Sequence, residues 1–245
     1  MKDLEHKHPH PTIYILPNLF TTGSIFVGFL AMVYAAAGNF TLANMLIIFG
    51  AFLDGLDGKV ARITNTASEF GVQYDSLADV ITFGIAPAFI SFQWKLFEFG
   101  RLGLVIAFLY ATCGALRLAR FNISTAVISK KFFIGLPIPV GATTVTSLFF
   151  FTHYVAEEFS LILPNIVFPL VVFCVSILMV SQIRYFSFKE FAPLHTHPFT
   201  TLLCIVLCLA ALAVQPSLLF FVFAFTYILC GLIYSCILLL KKQES

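Results

Sequence analysis

Charge is what this chain has least of. Only 11% of its 245 residues are Asp, Glu, Lys or Arg, against about 25% in soluble domains. That scarcity excludes a water-soluble globular protein and a disordered chain. A net charge of +2 provides no field that would recruit nucleic acid. Tryptophan occurs once and phenylalanine 30 times, so aromatic mass goes into lipid contact or helix packing. Period-two alternation is missing from the apolar runs, which excludes barrel strands of about ten residues. No cysteine lies in a loop: Cys113, Cys174, Cys204, Cys208, Cys230 and Cys236 all fall inside apolar stretches, so no disulfide framework is expected. They read as small packing residues. Cys204 and Cys208 share a helix face, but no His or carboxylate joins them to make a metal site. A secretory cleavage pattern is missing too, because the first apolar run is long and continues into the body.

What is present is membrane helix. The chain is 60% hydrophobic with a mean hydropathy of +0.97. Runs of about 20 apolar residues, the length that crosses a bilayer, fall at 15–37, 40–62, 72–93, 100–120, 136–155, 164–183, 197–214 and 217–240. They predict an all-α, polytopic membrane bundle of about eight transmembrane helices. The expected organisation is a polar tail at 1–11, a core at 12–190 of about six spans, and 191–245 with two additional spans and a short basic tail. Lys and Arg accumulate on the cytoplasmic side of membranes. With the ends assigned alternately, one side receives Lys2, Lys7, Lys59, Arg62, Arg117, Arg120, Lys130, Lys131, Arg184, Lys189, Lys241 and Lys242, and the other only Lys95 and Arg101. Both termini are therefore expected in the cytoplasm, with a bacterial inner membrane as the host. His6, His8 and His10 read as part of a solvated tail, and His195 and His197 as part of a polar link.

The informative stretch is 54–79, DGLDGKVARITNTASEFGVQYDSLAD, which holds four of the chain's five aspartates. A charge inside a span costs roughly 2.5–3.5 kcal/mol on insertion scales, so four together demand compensation. Asp54 and Asp57 are three apart and share one face of the second helix. Asp75 and Asp79 are four apart and share one face of the third. The link between the helices is short, so the helices run antiparallel and the two pairs face each other at the cytoplasmic end. Converging carboxylates call for a divalent cation. Hard oxygen donors suit Mg²⁺ or Mn²⁺, and such clusters suit a two-metal site that clamps a phosphoryl group. Gly58, Ala61 and Gly71 remove bulk beside the acids, either for close helix packing or to let a flat ligand reach the backbone. Arg62 stands one turn from Gly58, at hand for a phosphate.

Written out, the pattern is Asp54-x2-Asp57-Gly58-x2-Ala61-Arg62-x8-Gly71-x3-Asp75-x3-Asp79. Every fixed position and gap is similar to the signature of the CDP-alcohol phosphatidyltransferases. The resemblance implies that Asp54, Asp57 and Asp75 bind a pair of metal ions, with Asp79 sharing it. It implies that Asp79 is also the general base and that the CDP-lipid lies along Asp57, Gly58, Ala61, Arg62, Gly71 and Asp75. A homodimer is implied as well. Other segments resemble one branch of the family, the membrane-integral phosphatidylserine synthases. They are 16–31, 68–88, GALRLARFN at 114–122, FIGLPIPVGA at 133–142 and VSQIRYFSFK at 180–189. Gln182 departs from that branch, where Asn is expected.

The branch implies transfer of a phosphatidyl group from CDP-diacylglycerol to L-serine, with release of CMP. Serine brings a carboxylate, which suits a guanidinium. Arg117 and Arg120, three apart at the cytoplasmic end of the fourth span, are the acceptor-binding candidates; the competing reading is membrane anchoring. Lys130, Lys131 and Arg184 are weaker candidates. The same chemistry with glycerol 3-phosphate or inositol phosphate is the alternative. A cation transporter is the distant one, and it predicts acids spread along a path rather than gathered at one end. Asn18 reads as a helix cap or as a pocket residue, with the cap preferred. Pro137 and Pro139 are expected to delay the start of the fifth span.

Overall fold

A computed structural model describes residues 15–64, 68–124, 132–186 and 216–243. The described chain is a helical bundle. Its elements are α1 (Ile15–Ala36), α2 (Phe40–Ile63), α3 (Glu69–Asp79), a π-helical turn (Val80–Ile85) and α4 (Ala86–Trp94). A 3₁₀ turn (Leu96–Phe99) leads into α5 (Arg101–Ser124). Then come β1 (Phe132–Ile134), α6 (Ile138–Phe159), α7 (Val167–Val180), β2 (Arg184–Phe186) and α8 (Pro216–Gln243). Among the described residues five helical stretches are long and apolar enough to cross a membrane: Pro17–Ala36, Phe40–Ile63, Glu69–Trp94, Arg101–Ile123 and Leu218–Ile237. The chain is an integral membrane protein. Large apolar side chains such as Phe26, Phe29, Phe52 and Phe108 face outward, as lipid contact requires. The polar tail at 1–11, the expected span at 197–214, Lys130, Lys131, His195 and His197 lie outside the described residues.

α1 and α2 form the closest pair. On these two helices Ala31, Ala35 and Ala43 are buried, small residues that let helix backbones approach, and Ile47 is buried with them. The turn that joins them holds Gly38 at φ +80, a conformation that costs glycine nothing, and Asn39 caps α2 by accepting from the Leu42 amide. α3 begins at Ser68, whose hydroxyl accepts from the Gly71 amide at 3.0 Å.

The third span is not one regular helix, as its hydropathy suggests, but is interrupted by the π-turn directly after Asp79. That turn is stitched on two sides. Thr82 donates its hydroxyl to the Ser24 carbonyl at 3.0 Å. The Tyr110 hydroxyl, fully buried, donates to the Phe83 carbonyl at 3.2 Å. Gly28 and Gly50 make room for it, since a Cβ at either would come within 3 Å of Thr82.

Two expectations shift in detail. The sixth apolar run yields only the 14-residue α7, because residues 160–166 are non-helical. The helix therefore has a rise of only about 21 Å, short of a full crossing. A short antiparallel ladder pairs Ile134 with Arg184 and Phe133 with Tyr185, an element that the apolar pattern does not announce. As expected, the prolines delay the fifth span, with Pro137 at the N-cap of α6 and Pro139 in its first turn. α8 stacks Phe221 on Phe151 of α6 and Tyr227 on Tyr185 of β2. It therefore runs toward the end of the bundle where α1 begins.

Candidate active site

The four aspartates meet where the end of α2 faces the start of the third span. One carboxylate oxygen from each of Asp54, Asp57 and Asp75 lies within 4.8 Å of the others. Asp79 sits beside them, in hydrogen-bonding range of Asp54. Asp57 is 6% exposed and is held by Thr21 of α1, whose hydroxyl donates to its Oδ2 at 2.8 Å. Asp75 and Asp79 each keep a buried Oδ1 with no hydrogen-bond partner among the described residues. No described Lys or Arg forms an ion pair with any of the four; the ion pair found among the described residues is Lys95–Glu98, at the far end of the bundle.

Bare carboxylates at such spacing repel strongly. Their orphaned oxygens and hard donor chemistry fit a divalent cation. The triad of Asp54, Asp57 and Asp75 can hold a metal ion; Asp79 is adjacent to it rather than part of the three-way cluster.

Next to the acids is a cavity of about 210 Å³. Asp57, Gly58, Ala61, Arg62, Gly71 and Asp75 line it, together with Pro17, Asn18 and Thr21 from α1. All six residues singled out in the sequence for the CDP-lipid thus line one cavity, four from α2 and two from α3. A Cβ built on Gly58 meets no neighbouring element within 4 Å, so helix packing does not explain that glycine. At Gly71 packing contributes, because a Cβ there stands 3.2 Å from the Ser68 hydroxyl. Arg62 donates its Nε to the Gly58 carbonyl at 2.8 Å, which fixes the stem and leaves the terminal nitrogens of the guanidinium for other acceptors.

The preferred reading of Asn18 is corrected. α1 begins at Ile15, so Asn18 is inside the helix and lines the cavity. A polar residue after Pro17 resembles a cap, and only the extra turn upstream shows otherwise. Thr21 and Ser68 were missed by the sequence reading. Ser68, three before Gly71, carries a helix-start signal. Thr21 carries none, since its partner Asp57 lies 36 residues away.

The two candidate acceptor arginines differ. Arg117 is 6% exposed, interacts electrostatically with Asp79, and has an Nε without a hydrogen-bond partner among the described residues. Its guanidinium lies 5.1 Å from the centroid of the Phe121 ring. Arg120 instead donates to the carbonyls of Val180, Ser181 and Ile134 at 2.9, 3.0 and 3.1 Å. Gln182 is exposed.

A family model described as CDP-alcohol phosphatidyltransferase matches residues 14–180. A CDP-diacylglycerol–serine O-phosphatidyltransferase of Helicobacter pylori is 42% identical over 185 residues, 74% of this chain and 76% of its own. The protein of the same name in Bacillus subtilis is 34% identical over 178 residues, 72% of this chain and 93% of its own. An archaetidylserine synthase of Methanothermobacter thermautotrophicus is 36% identical over 172 residues, 69% of each chain. With its acid cluster and lined cavity in place, the chain belongs to the CDP-alcohol phosphatidyltransferase family of membrane enzymes.

Proposed function

We propose that this enzyme transfers the phosphatidyl group of CDP-diacylglycerol to L-serine, giving phosphatidylserine and CMP. The observation that carries the reading is the single cavity in which Asp57, Gly58, Ala61, Arg62, Gly71 and Asp75 gather beside three converging carboxylates. Serine is chosen because relatives named for it share 42% identity with most of this chain.

In this reading the cytidine lies against Gly58, Ala61 and Gly71, and reaches the backbone at Gly58, where a Cβ would meet no neighbour. Arg62 turns its free N–H groups to the diphosphate. Asp54, Asp57 and Asp75, with Asp79 sharing them, would hold two divalent cations, Mg²⁺ or Mn²⁺, whose charge would neutralise the diphosphate and the CMP leaving group. Thr21 keeps Asp57 in place. Asp79 takes the proton of the acceptor hydroxyl as that oxygen attacks the β-phosphorus. The bond from this phosphorus to the CMP oxygen breaks, and CMP leaves. Arg117, beside Asp79, faces the acceptor, while Arg120 shapes the acceptor side through the carbonyls it binds.

The acid-bearing end belongs on the cytoplasmic face of a bacterial inner membrane, a placement supported by the distribution of the 14 Lys and Arg residues. A homodimer is the assembly that family resemblance implies, and crosslinking in native membranes checks it. The deciding experiment is CMP release by the purified protein with CDP-diacylglycerol, Mg²⁺ or Mn²⁺, and single acceptors. Release that depends on L-serine is the expected result. Release with glycerol 3-phosphate or inositol phosphate instead keeps the aspartate chemistry and replaces the acceptor. Cation flux without CMP release returns the transporter.

A further inference from the structure

Outside the acid cluster, three buried groups have hydrogen-bonding capacity that the described residues leave unused: the hydroxyl of Thr146, midway along α6, and the Nε of Arg117 and hydroxyl of Tyr185. Arg117 is 6% exposed and Tyr185 is completely buried. Burying a donor without a partner forfeits its hydration for nothing in return. Packing accounts for the Tyr185 ring. It presses on α8 at Gly231, where any Cβ would collide with it, and stacks on Tyr227 with ring centroids 5.6 Å apart. Phenylalanine would serve both contacts. The hydroxyl is what packing leaves unexplained.

The fold brings Arg117 and Tyr185 to one place, on either side of Tyr227. Arg120 pins the end of α7 and the end of β1 to the last turns of α5 through three carbonyls. Arg117 is one turn back along α5. Tyr185 follows Arg184, the residue paired with Ile134. Tyr227 of α8 stacks on Tyr185 and lies within electrostatic reach of Arg117, and Arg117 interacts in turn with Asp79. Burial, with Tyr227 beside it, pushes the Tyr185 phenol up to about 12, so the phenol keeps its proton and is a donor.

We infer that Arg117 and the Tyr185 hydroxyl form the subsite for the carboxylate of the acceptor, with Tyr227 of α8 as the positioning residue that holds them together. This rests on the serine reading above. One guanidinium and one neutral phenol match a singly charged carboxylate; a phosphate acceptor would bring more charge than this pair balances. The inference also gives α8, which lies beyond the residues matched by the family model, a part in acceptor recognition.

The test is steady-state CMP release by the full-length enzyme, with L-serine and CDP-diacylglycerol varied separately. Tyr185→Phe should raise the KM for L-serine about ten-fold, the worth of one hydrogen bond to a charged group. The KM for the CDP-lipid should stay within about two-fold, and Tm should hold or rise, because a buried hydroxyl has been removed at no loss of packing. Tyr227→Leu should raise the serine KM in the same direction, with Tyr227→Phe restoring much of it by keeping the stack. A purely structural role moves neither KM in Tyr185→Phe. An unchanged serine KM, or an equal rise in both, overturns the subsite while leaving the serine reading standing. A wild-type enzyme that ignores L-serine removes both together.

Discussion

The two ends of the bundle solve the same problem in opposite ways. At the far end polar groups are satisfied within the protein. Glu98 accepts from both Lys95 and Asn165, at 3.2 and 3.3 Å. Trp94 packs edge-on against Phe149 and Phe168, each at 4.7 Å. At the acid end carboxylates crowd together, and buried oxygens and an arginine nitrogen go without partners among the described residues. A fold does not leave such groups bare for stability, since each costs desolvation. The contrast separates an end built to hold the bundle from an end built to receive something.

The sharpest way to break that contrast is to take the metal away. Chelation should bring CMP release to background, and Mg²⁺ or Mn²⁺ should restore it; full activity in excess chelator would erase the division. Next in size is Asp79→Asn, which should lower kcat about 10³-fold, within the range for removing a general base, while the thermal transition stays near wild type.

At the opposite end Trp94→Ala should do the reverse. Trp94 is partly buried, so its removal should cost less than the about 3–5 kcal/mol of a fully buried aromatic, read as a lowered Tm, with kcat retained at temperatures where the protein is folded. A loss of kcat without loss of Tm would show that the two ends are not separate. Gly58→Leu should raise the KM for the CDP-lipid about ten-fold without loss of Tm, because the added side chain meets no packed neighbour and glycine is a poor helix former. The smallest effect belongs to Glu98→Gln. It breaks a partly exposed ion pair worth about 0–1 kcal/mol, and both KM values should stay put.

The acid end was far more legible in the sequence than the rest. Spacings of three and four along helices put Asp54 with Asp57 and Asp75 with Asp79, and the short link made the pairs face each other. Those rules are local, so they survive folding. Thr21 could not be found this way, because its bond to Asp57 depends on how α1 docks. The π-turn is written in Val80-Ile81-Thr82-Phe83-Gly84-Ile85, which has no signature distinguishing it from ordinary helix; its cause lies in Ser24, Gly28, Gly50 and Tyr110 on other helices. Hydropathy sees only apolar length, so it stretched the sixth span past the end of α7 and was silent on the β ladder. Arg117 and Arg120 looked equivalent at three apart. The end of α7 and the last residue of β1 distinguish them, because they offer carbonyls to Arg120 and not to Arg117.

The π-turn has a consequence for the length of the chain. A turn of this kind is an α-helix that holds one surplus residue. Each residue advances a helix by about 100°, so the surplus offsets the face that carries Asp75 and Asp79 from the face that carries Ala88 and Ser91. The third span is two helices of different phase, each keyed to its own neighbours. Deleting any one residue within 80–85 would merge the phases, and the span would keep either the alignment of its acids or the seat of Trp94, but not both. At this point of the membrane the number of residues is constrained more tightly than their identity.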